Sequence, residues 1–235
     1  MSTLLEARGL CAGYDGSSVL RDVNIEVHAG EVVALLGANG SGKTTTLHTL
    51  AGVLKPSAGD VMLDGELMTA PLHRRARAGL AYVTEERSVF NILTVAQNLA
   101  IGRGCDVDRA LSFFEPLRAL KDRRCGALSG GEQQMVTLAR ALGRPTKLLL
   151  ADELSLGLAP QTVGTLLSAI RRAADEGMGA LVVEQHVHRI LTIADRVYLL
   201  RHGRVEFSGT ADEARARIDE IQGSYLGAAP AGSTS

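Results

Sequence analysis

Residues 37–44 read Gly-Ala-Asn-Gly-Ser-Gly-Lys-Thr, and residues 128–134 read Leu-Ser-Gly-Gly-Glu-Gln-Gln. The first stretch is a glycine-rich loop closed by a cation and a hydroxyl. Glycine lets main-chain N–H groups turn toward an anion with no Cβ in the way. Gly37, Ala38, Asn39, Gly40, Ser41 and Gly42 are therefore candidates to cradle phosphates, with Lys43, Thr44 and Thr45 closing the loop. Lys43 would reach the β- and γ-phosphates and the Thr44 hydroxyl would ligate Mg²⁺. The second stretch is another glycine turn ahead of a helix, also suited to phosphate. Two phosphate-gripping surfaces in one chain point to a nucleoside triphosphate held between two copies of the protein.

A third group of residues supplies acids. Lys147-Leu148-Leu149-Leu150-Ala151-Asp152-Glu153 is an apolar run that ends in two carboxylates. In open α/β sheets ligands bind at the carboxyl ends of strands. Asp152 there suits the Mg²⁺ shell, and Glu153, one residue on, can polarise a water for attack on a phosphate.

The elements that would position these groups are legible as patterns. Residues 31–36 form a short, branched, apolar run expected to be a buried strand. A helix is expected from Lys43, with apolar residues at Leu47, Leu50 and Leu54. Strand, glycine loop, helix is the context that a phosphate loop requires. Residues 4–28 alternate and, with residues 61–63, suggest an antiparallel layer carrying Tyr14. Helical patterning is expected at Leu93–Leu99, Arg109–Arg118 and Gly130–Leu142. Strands follow at 147–153, 180–184 and 196–200, with a hairpin turn at 201–204 whose charges read as solvated. Asp212–Ile221 reads as an amphipathic helix, and residues 228–235 lack apolar bulk and read as a disordered tail.

Composition narrows the classes. The 235 residues suffice for one domain with a sizeable core, and a formal charge of −1 with no basic stripe argues against nucleic acid as a partner. Aromatic residues make up 3% and tryptophan is absent, so the interior must be aliphatic. Cys11, Cys105 and Cys125 are isolated, with neither metal-site nor disulfide spacing. The Met1-Ser2-Thr3-Leu4 start lacks a basic segment and long apolar core, so no leader is expected. No apolar run approaches the ~18 residues needed to span a bilayer.

Taken together, the glycine loop, the Asp152-Glu153 pair and Leu-Ser-Gly-Gly-Glu-Gln-Gln resemble an ATP-binding cassette (ABC) ATPase from about residue 4 to residue 226. The resemblance implies an α/β fold: a P-loop NTPase cassette with a RecA-like core, an antiparallel β-subdomain and a helical subdomain. The whole would be one domain over residues 1–227, with core and β-subdomain at about 1–86 and 141–222 and the helical subdomain at about 87–140. It implies ATP and Mg²⁺ as cofactors. It also implies a head-to-tail dimer in which Ser129, Gly130 and Gly131 of one copy face the γ-phosphate held by Lys43 of the other. Tyr14 matches the aromatic residue that stacks on adenine, and Glu153 matches the catalytic base.

A narrower resemblance covers residues 81–90, 93–95, 155–160, 183–185 and 224–227. These are similar to the second ATPase subunit of branched-chain amino-acid importers, a subfamily that also serves urea and short amides. Most cassettes carry Gln where this chain has Glu85, and His where it has Gln185; the subfamily shares both departures. A carboxylate oxygen of Glu85 can still ligate Mg²⁺ or its water. Gln185 can donate a hydrogen bond but carries no positive charge, so slower or more tightly coupled hydrolysis is expected. His186 is read as a bystander. Leu154, Thr84 and Glu86 also depart from the common cassette pattern. The implied partners are transmembrane permease subunits, a second ABC ATPase subunit or a second copy, and, indirectly, an extracytoplasmic solute-binding protein. The implied place is the cytoplasmic face of the plasma membrane. A cassette acting on DNA ends or ribosomes usually has a long coiled coil or two cassettes per chain, and neither is evident here. A P-loop kinase would lack the sequence at Ser129–Gln134.

Overall fold

The computed structural model describes residues 2–184 and 186–218. The amino-terminal part runs β1 (Thr3–Tyr14), β2 (Ser17–His28), β3 (Val32–Leu36), α1 (Lys43–Ala51), β4 (Ala58–Leu63), β5 (Glu66–Leu67), α2 (Leu72–Arg77) and β6 (Leu80–Val83). A helical block follows: α3 (Val95–Ala100), α4 (Val107–Ser112), α5 (Glu115–Ala119) and α6 (Gly130–Leu142). The chain then alternates again through β7 (Leu148–Asp152), α7 (Pro160–Asp175), β8 (Gly179–Val183), α8 (Val187–Ile190), β9 (Arg196–Arg201), β10 (Arg204–Thr210) and α9 (Ala211–Ala216).

Two sheets result. One is antiparallel, in the order β2-β1-β4-β5; the other runs β10-β9-β3-β8-β7-β6, with parallel pairing from β9 through β6. Alternation along the parallel strands divides the core. Val32, Ala34, Leu149, Ala151, Ala180 and Val182 pack with the helical block and α7. Val33, Leu35, Leu148, Leu150, Leu181 and Val183 pack with the antiparallel sheet and α1. The sheet is thus covered on both faces, which is why its strands read as continuous apolar runs. The same parity puts Asp152 on the side of Leu148 and Leu150, facing α1.

The structure adjusts several expected boundaries. The helix expected over Arg109–Arg118 is two helices, α4 and α5, interrupted at Phe113 and Phe114. Pro116 lies in the first turn of α5, where its missing N–H is tolerated and mid-helix would not be. Phe114 is fully buried at the break. The strand expected to end at Glu153 ends at Asp152. Strand β10 and helix α2 were not read from the sequence: β10 alternates half-buried with exposed positions, and α2 has only six residues. The expected helix at 212–221 is seen as α9 to Ala216, and its end, like the 228–235 tail, lies outside the described residues.

Two polar ties hold the elements around the phosphate loop. Arg75, 2% exposed, donates through Nη1 to the carbonyls of Leu50 (2.6 Å) and Thr49 (3.3 Å), through Nε to Ala70 (2.7 Å) and through Nη2 to Met68 (2.8 Å). The guanidinium thereby caps the carboxyl end of α1, where orphan carbonyls and the helix dipole favour a cation. Asn98, fully buried, accepts from Phe90 N–H (2.8 Å) and donates to the carbonyls of Phe90, Leu93 and Thr94. It pins the segment that follows Glu85. Arg75→Met should leave several buried carbonyls without donors and cost about 2–4 kcal/mol. A thermal or urea denaturation comparison with the wild type measures it.

Candidate functional site

Parallel pairing brings four strand ends to one edge. β3 runs into Gly37, β7 ends at Asp152, β8 ends at Val183 and β6 ends two residues before Glu85. Register pairs Asp152 with Val183 and Leu35 with Val183. Loop, acid pair, the strand leading to position 185 and the segment leading to Glu85 therefore converge although they are scattered over some 150 residues of sequence (37 to 185). Gln185 itself lies outside the described residues.

The loop is shaped by what its glycines avoid. A Cβ on Gly37 (φ +154°) would fall 2.3 Å from the Leu200 carbonyl oxygen, and one on Gly42 (φ +110°) would fall 2.8 Å from the Leu20 side chain. At Gly37 the clash is with backbone, so glycine is required sterically as well as conformationally; at Gly42 the requirement is conformational. The loop is also braced from outside. Gly203 N–H donates to the Ser41 carbonyl (2.9 Å), and the Gly203 carbonyl accepts from Arg21 N–H (2.8 Å). The hairpin turn at 201–204, expected to be merely solvated, thus holds the phosphate loop by its backbone. Its side chains do stay outside, with Arg201 paired to Glu206 at 3.0 Å.

Lys43 is 5% exposed. Its Nζ donates to the carbonyls of Gly37 (2.8 Å) and Ala38 (3.1 Å), folding the ammonium back across the loop. Burial pushes its pKa below the ordinary lysine value, against the opposing pull of Glu153 and Asp152. Asp152 is 5% exposed, and its Oδ1 has no hydrogen-bond partner. Burial raises its pKa, a hydrogen bond from Thr44 lowers it, Glu153 raises it, and His48 and Lys43 lower it. The net shift is upward. The Ser41 hydroxyl is likewise buried without a partner. A buried, partnerless carboxylate oxygen beside a hydroxyl at the amino end of a helix is a donor set that a hard divalent cation and phosphate oxygens would satisfy. The residues fit Mg²⁺ and a phosphate chain.

Glu153 is half-buried and left-handed, with φ +46°. Its N–H donates to the Val183 carbonyl at 3.0 Å, so the turn that carries its carboxylate is tied to the neighbouring strand end. Such a backbone in a non-glycine residue is uncommon and costs energy.

Tyr14 closes β1 and is 45% exposed, with its hydroxyl 3.1 Å from His48 Nδ1. The His48 ring meets Tyr82 edge-on, with centroids 6.0 Å apart and planes at 89°. Burial drives the Tyr82 phenol well above its ordinary pKa. Neither His48 nor Tyr82 was singled out from sequence; His48 lies five residues after Lys43 on α1, and that spacing was the available signal.

The second phosphate-gripping stretch belongs to another packing group. α6 packs on α3, α4, α5, α7 and β6, whereas α1 packs on β1, β2 and β7. Ser129 is the N-cap of α6, and its capping box is complete: Ser129 Oγ accepts from Glu132 N–H (3.3 Å), and Ser129 N–H donates to Glu132 Oε2 (2.7 Å). Ser129, Gly130 and Gly131 thus present a helix amino end outward, with the Arg87 guanidinium lying against Gly130 where a Cβ would stand. Glu85 is exposed beside it in sequence, and His186 is exposed at the start of α8.

A parallel sheet with a phosphate loop, an acid pair at the strand ends and a capped glycine helix in a separate helical block defines a P-loop ATPase cassette. Residues 20–155 match the ABC transporter family. The chain is 39% identical over 223 residues to the high-affinity branched-chain amino acid transport ATP-binding protein BraG of Pseudomonas aeruginosa, covering 91% of this chain and 95% of that protein. It is 38% identical over 239 residues to the lipopolysaccharide export system ATP-binding protein LptB of Acidithiobacillus ferridurans, covering 97% and 98%. The ADP conformation of an ATP-binding cassette of an ABC transporter shares the fold with a TM-score of 0.87 at 24% identity, covering 97% of this chain and 100% of that one. The chain belongs to the ABC transporter family as an ATPase of that family. No helix among the described residues is long and apolar enough to cross a membrane.

The raised Asp152 pKa has a consequence for stability. The folded chain holds this proton more tightly than the unfolded one. The contribution of the carboxyl group therefore favours folding at acid pH and is lost as pH rises through its folded value. Asp152→Asn should raise the melting temperature of the nucleotide-free chain at neutral pH. The gain should shrink as pH falls toward the unperturbed value of 3.8. The same variant should lose the stabilisation that Mg-ATP gives the wild type, and thermal melts with and without Mg-ATP across pH read both effects.

Proposed function

We propose that this chain is the ATP-hydrolysing subunit of an importer for branched-chain amino acids or related small polar solutes, powering transport through separate membrane subunits. The observation that carries this reading is the 39% identity with BraG along 91% of the chain. Glu85 and the segments at 81–90 and 155–160 point the same way. A second reading, lipopolysaccharide export, rests on the similarly close likeness to LptB at 38% identity. Cargo in either case is chosen by other subunits, so the ATPase chain never touches it.

In this reading Lys43, the loop N–H groups and the amino end of α1 hold the phosphates, and Tyr14 stacks on the base. Thr44 and Asp152 would hold Mg²⁺, with Glu85 as a further oxygen ligand to the ion or its water, and the bound ion would offset charge on the phosphates. Ser129, Gly130 and Gly131 of a second cassette close the site across a dimer, because in one chain they sit on a different packing group from the loop. Glu153 accepts a proton from the attacking water, and Gln185 donates a hydrogen bond toward the γ-phosphate. Phe90 (54% exposed) and Ile92 (80%), a few residues after Glu85, and Ile101 (48%) form an apolar surface for the permease. In this reading that surface passes the opening and closing of the site to the membrane, and the chain works at its cytoplasmic face.

Glu153→Gln should lower hydrolysis by about 10²-fold or more while ATP still binds; a variant that hydrolyses at the wild-type rate refutes the role of Glu153. The partner question is answered by trapping this variant with ATP in gently solubilised membranes and identifying what co-purifies. Two polytopic subunits, a second cassette and an amino-acid-binding protein support the importer. Lipopolysaccharide-transport subunits support the second reading. Ribosomal or DNA-bound partners overturn transport.

A further inference from the structure

Behind the acid pair lies a polar contact that the reading above does not use. Ser155 and Glu184 are 4% and 1% exposed, and Ser155 Oγ donates a hydrogen bond to Glu184 Oε2. Ser155 lies two residues after Glu153, and Glu184 immediately precedes Gln185. Leu154 and Val182, one and two residues away in the chain, belong to the buried apolar core. A carboxyl group in such a place costs free energy that an apolar pair would not. Its retention at the junction of two functional segments calls for a role beyond packing.

Backbone geometry indicates the role. Asp152 and Val183 are register partners on adjacent parallel strands, and beyond them both chains leave the sheet. Glu153 turns into the left-handed region at φ +46°, a conformation that its own side chain does not favour. Two bonds tie this turn to β8: Glu153 N–H to the Val183 carbonyl at 3.0 Å, and Ser155 Oγ–H to Glu184. The first fixes the start of the turn, and the second fixes its far side.

We infer that Ser155 and Glu184 are positioning residues for hydrolysis: their buried hydrogen bond holds the Glu153 turn in register with the end of β8, and so holds the carboxylate of Glu153 at the strand-end edge of the sheet. This rests on the reading of Glu153 as the group that activates the attacking water. Neither residue lies in the phosphate loop or on α1, so the bond is expected to act on turnover and to leave binding alone.

The test is nucleotide binding, hydrolysis and thermal melting of the full-length chain. Ser155→Ala should lower kcat roughly tenfold, the scale of a lost buried hydrogen bond. Its affinity for a fluorescent ATP analogue should stay within about twofold of wild type, since the phosphate loop is untouched. Ser155→Thr, which keeps the hydroxyl, should recover most of the turnover. Glu184→Gln keeps the volume but offers a weaker acceptor; it should fall between the two and carries the test if Thr is too bulky to fold. Combining Ser155→Ala with Glu184→Gln should slow turnover no further than Ser155→Ala alone, because both remove one bond. Wild-type kcat in Ser155→Ala, with Glu153→Gln inactive, overturns the positioning role and leaves the assignment of Glu153 standing. Parallel loss of melting temperature, affinity and kcat in Ser155→Ala and Glu184→Gln also overturns it, since the pair would then be merely structural. Full turnover in Glu153→Gln removes the reading on which it rests.

Discussion

Burial of Lys43 and Asp152 at the carboxyl edge of a doubly covered sheet is the constraint on which the rest depends. Each carries a charge that desolvation penalises, and their pKa values are displaced in the directions that burial dictates. The ammonium is partly satisfied by two carbonyls of its own loop, while Asp152 Oδ1 has no partner. A site left in this state gains from phosphate and a divalent cation what it lacks in the free chain. The surrounding architecture supplies rigidity: Arg75 at the end of α1, the Gly203 turn against Ser41, and aliphatic packing on both sheet faces. Without those ties, the loop would relax toward solvating its own charges.

The second consequence of the fold is separation. α1 and its phosphate loop belong to the packing group of the antiparallel sheet, while α6 and its capped amino end belong to the helical block. Family membership makes this an ATPase, and ATPase subunits of this kind dimerise and work with membrane permeases. The glycine loop and the capped glycine helix lie on different layers of one chain, an arrangement that suits closure across a dimer. The half-buried turn at Glu153 lies where β7 leaves the sheet, and the exposed apolar residues Phe90, Ile92 and Ile101 lie in or beside the helical block. Asn98 ties Phe90 into the helical block.

Legibility followed the range of the interactions. The phosphate loop, its flanking strand and helix, and the acid-ended strand were readable because each is a contiguous pattern with a local physical cause. Helix α6 was expected over Gly130–Leu142 and is found there, since a serine cap, a glutamate three residues on and a helical apolar period all agree. Arg109–Arg118 misread as one helix because periodicity cannot see that Phe113 and Phe114 take separate buried places. The short α2 and β10 left too few positions for a period to register.

The sequence by itself determined the class of fold, the phosphate-loop residues Gly37–Thr45, the acid pair and the glycine helix, because propensity, periodicity and steric demand act over a few residues. Only tertiary structure decided what those groups lean on. The bracing of Ser41 by Gly203, the cap of α1 by Arg75, the contact of Tyr14 with His48 and the bond between Ser155 and Glu184 join residues 25 to 162 positions apart. Such pairings depend on strand order and on the register between neighbouring strands, where a one-residue slip turns every side chain to the other face. No local pattern specifies them; the packing of the whole chain does.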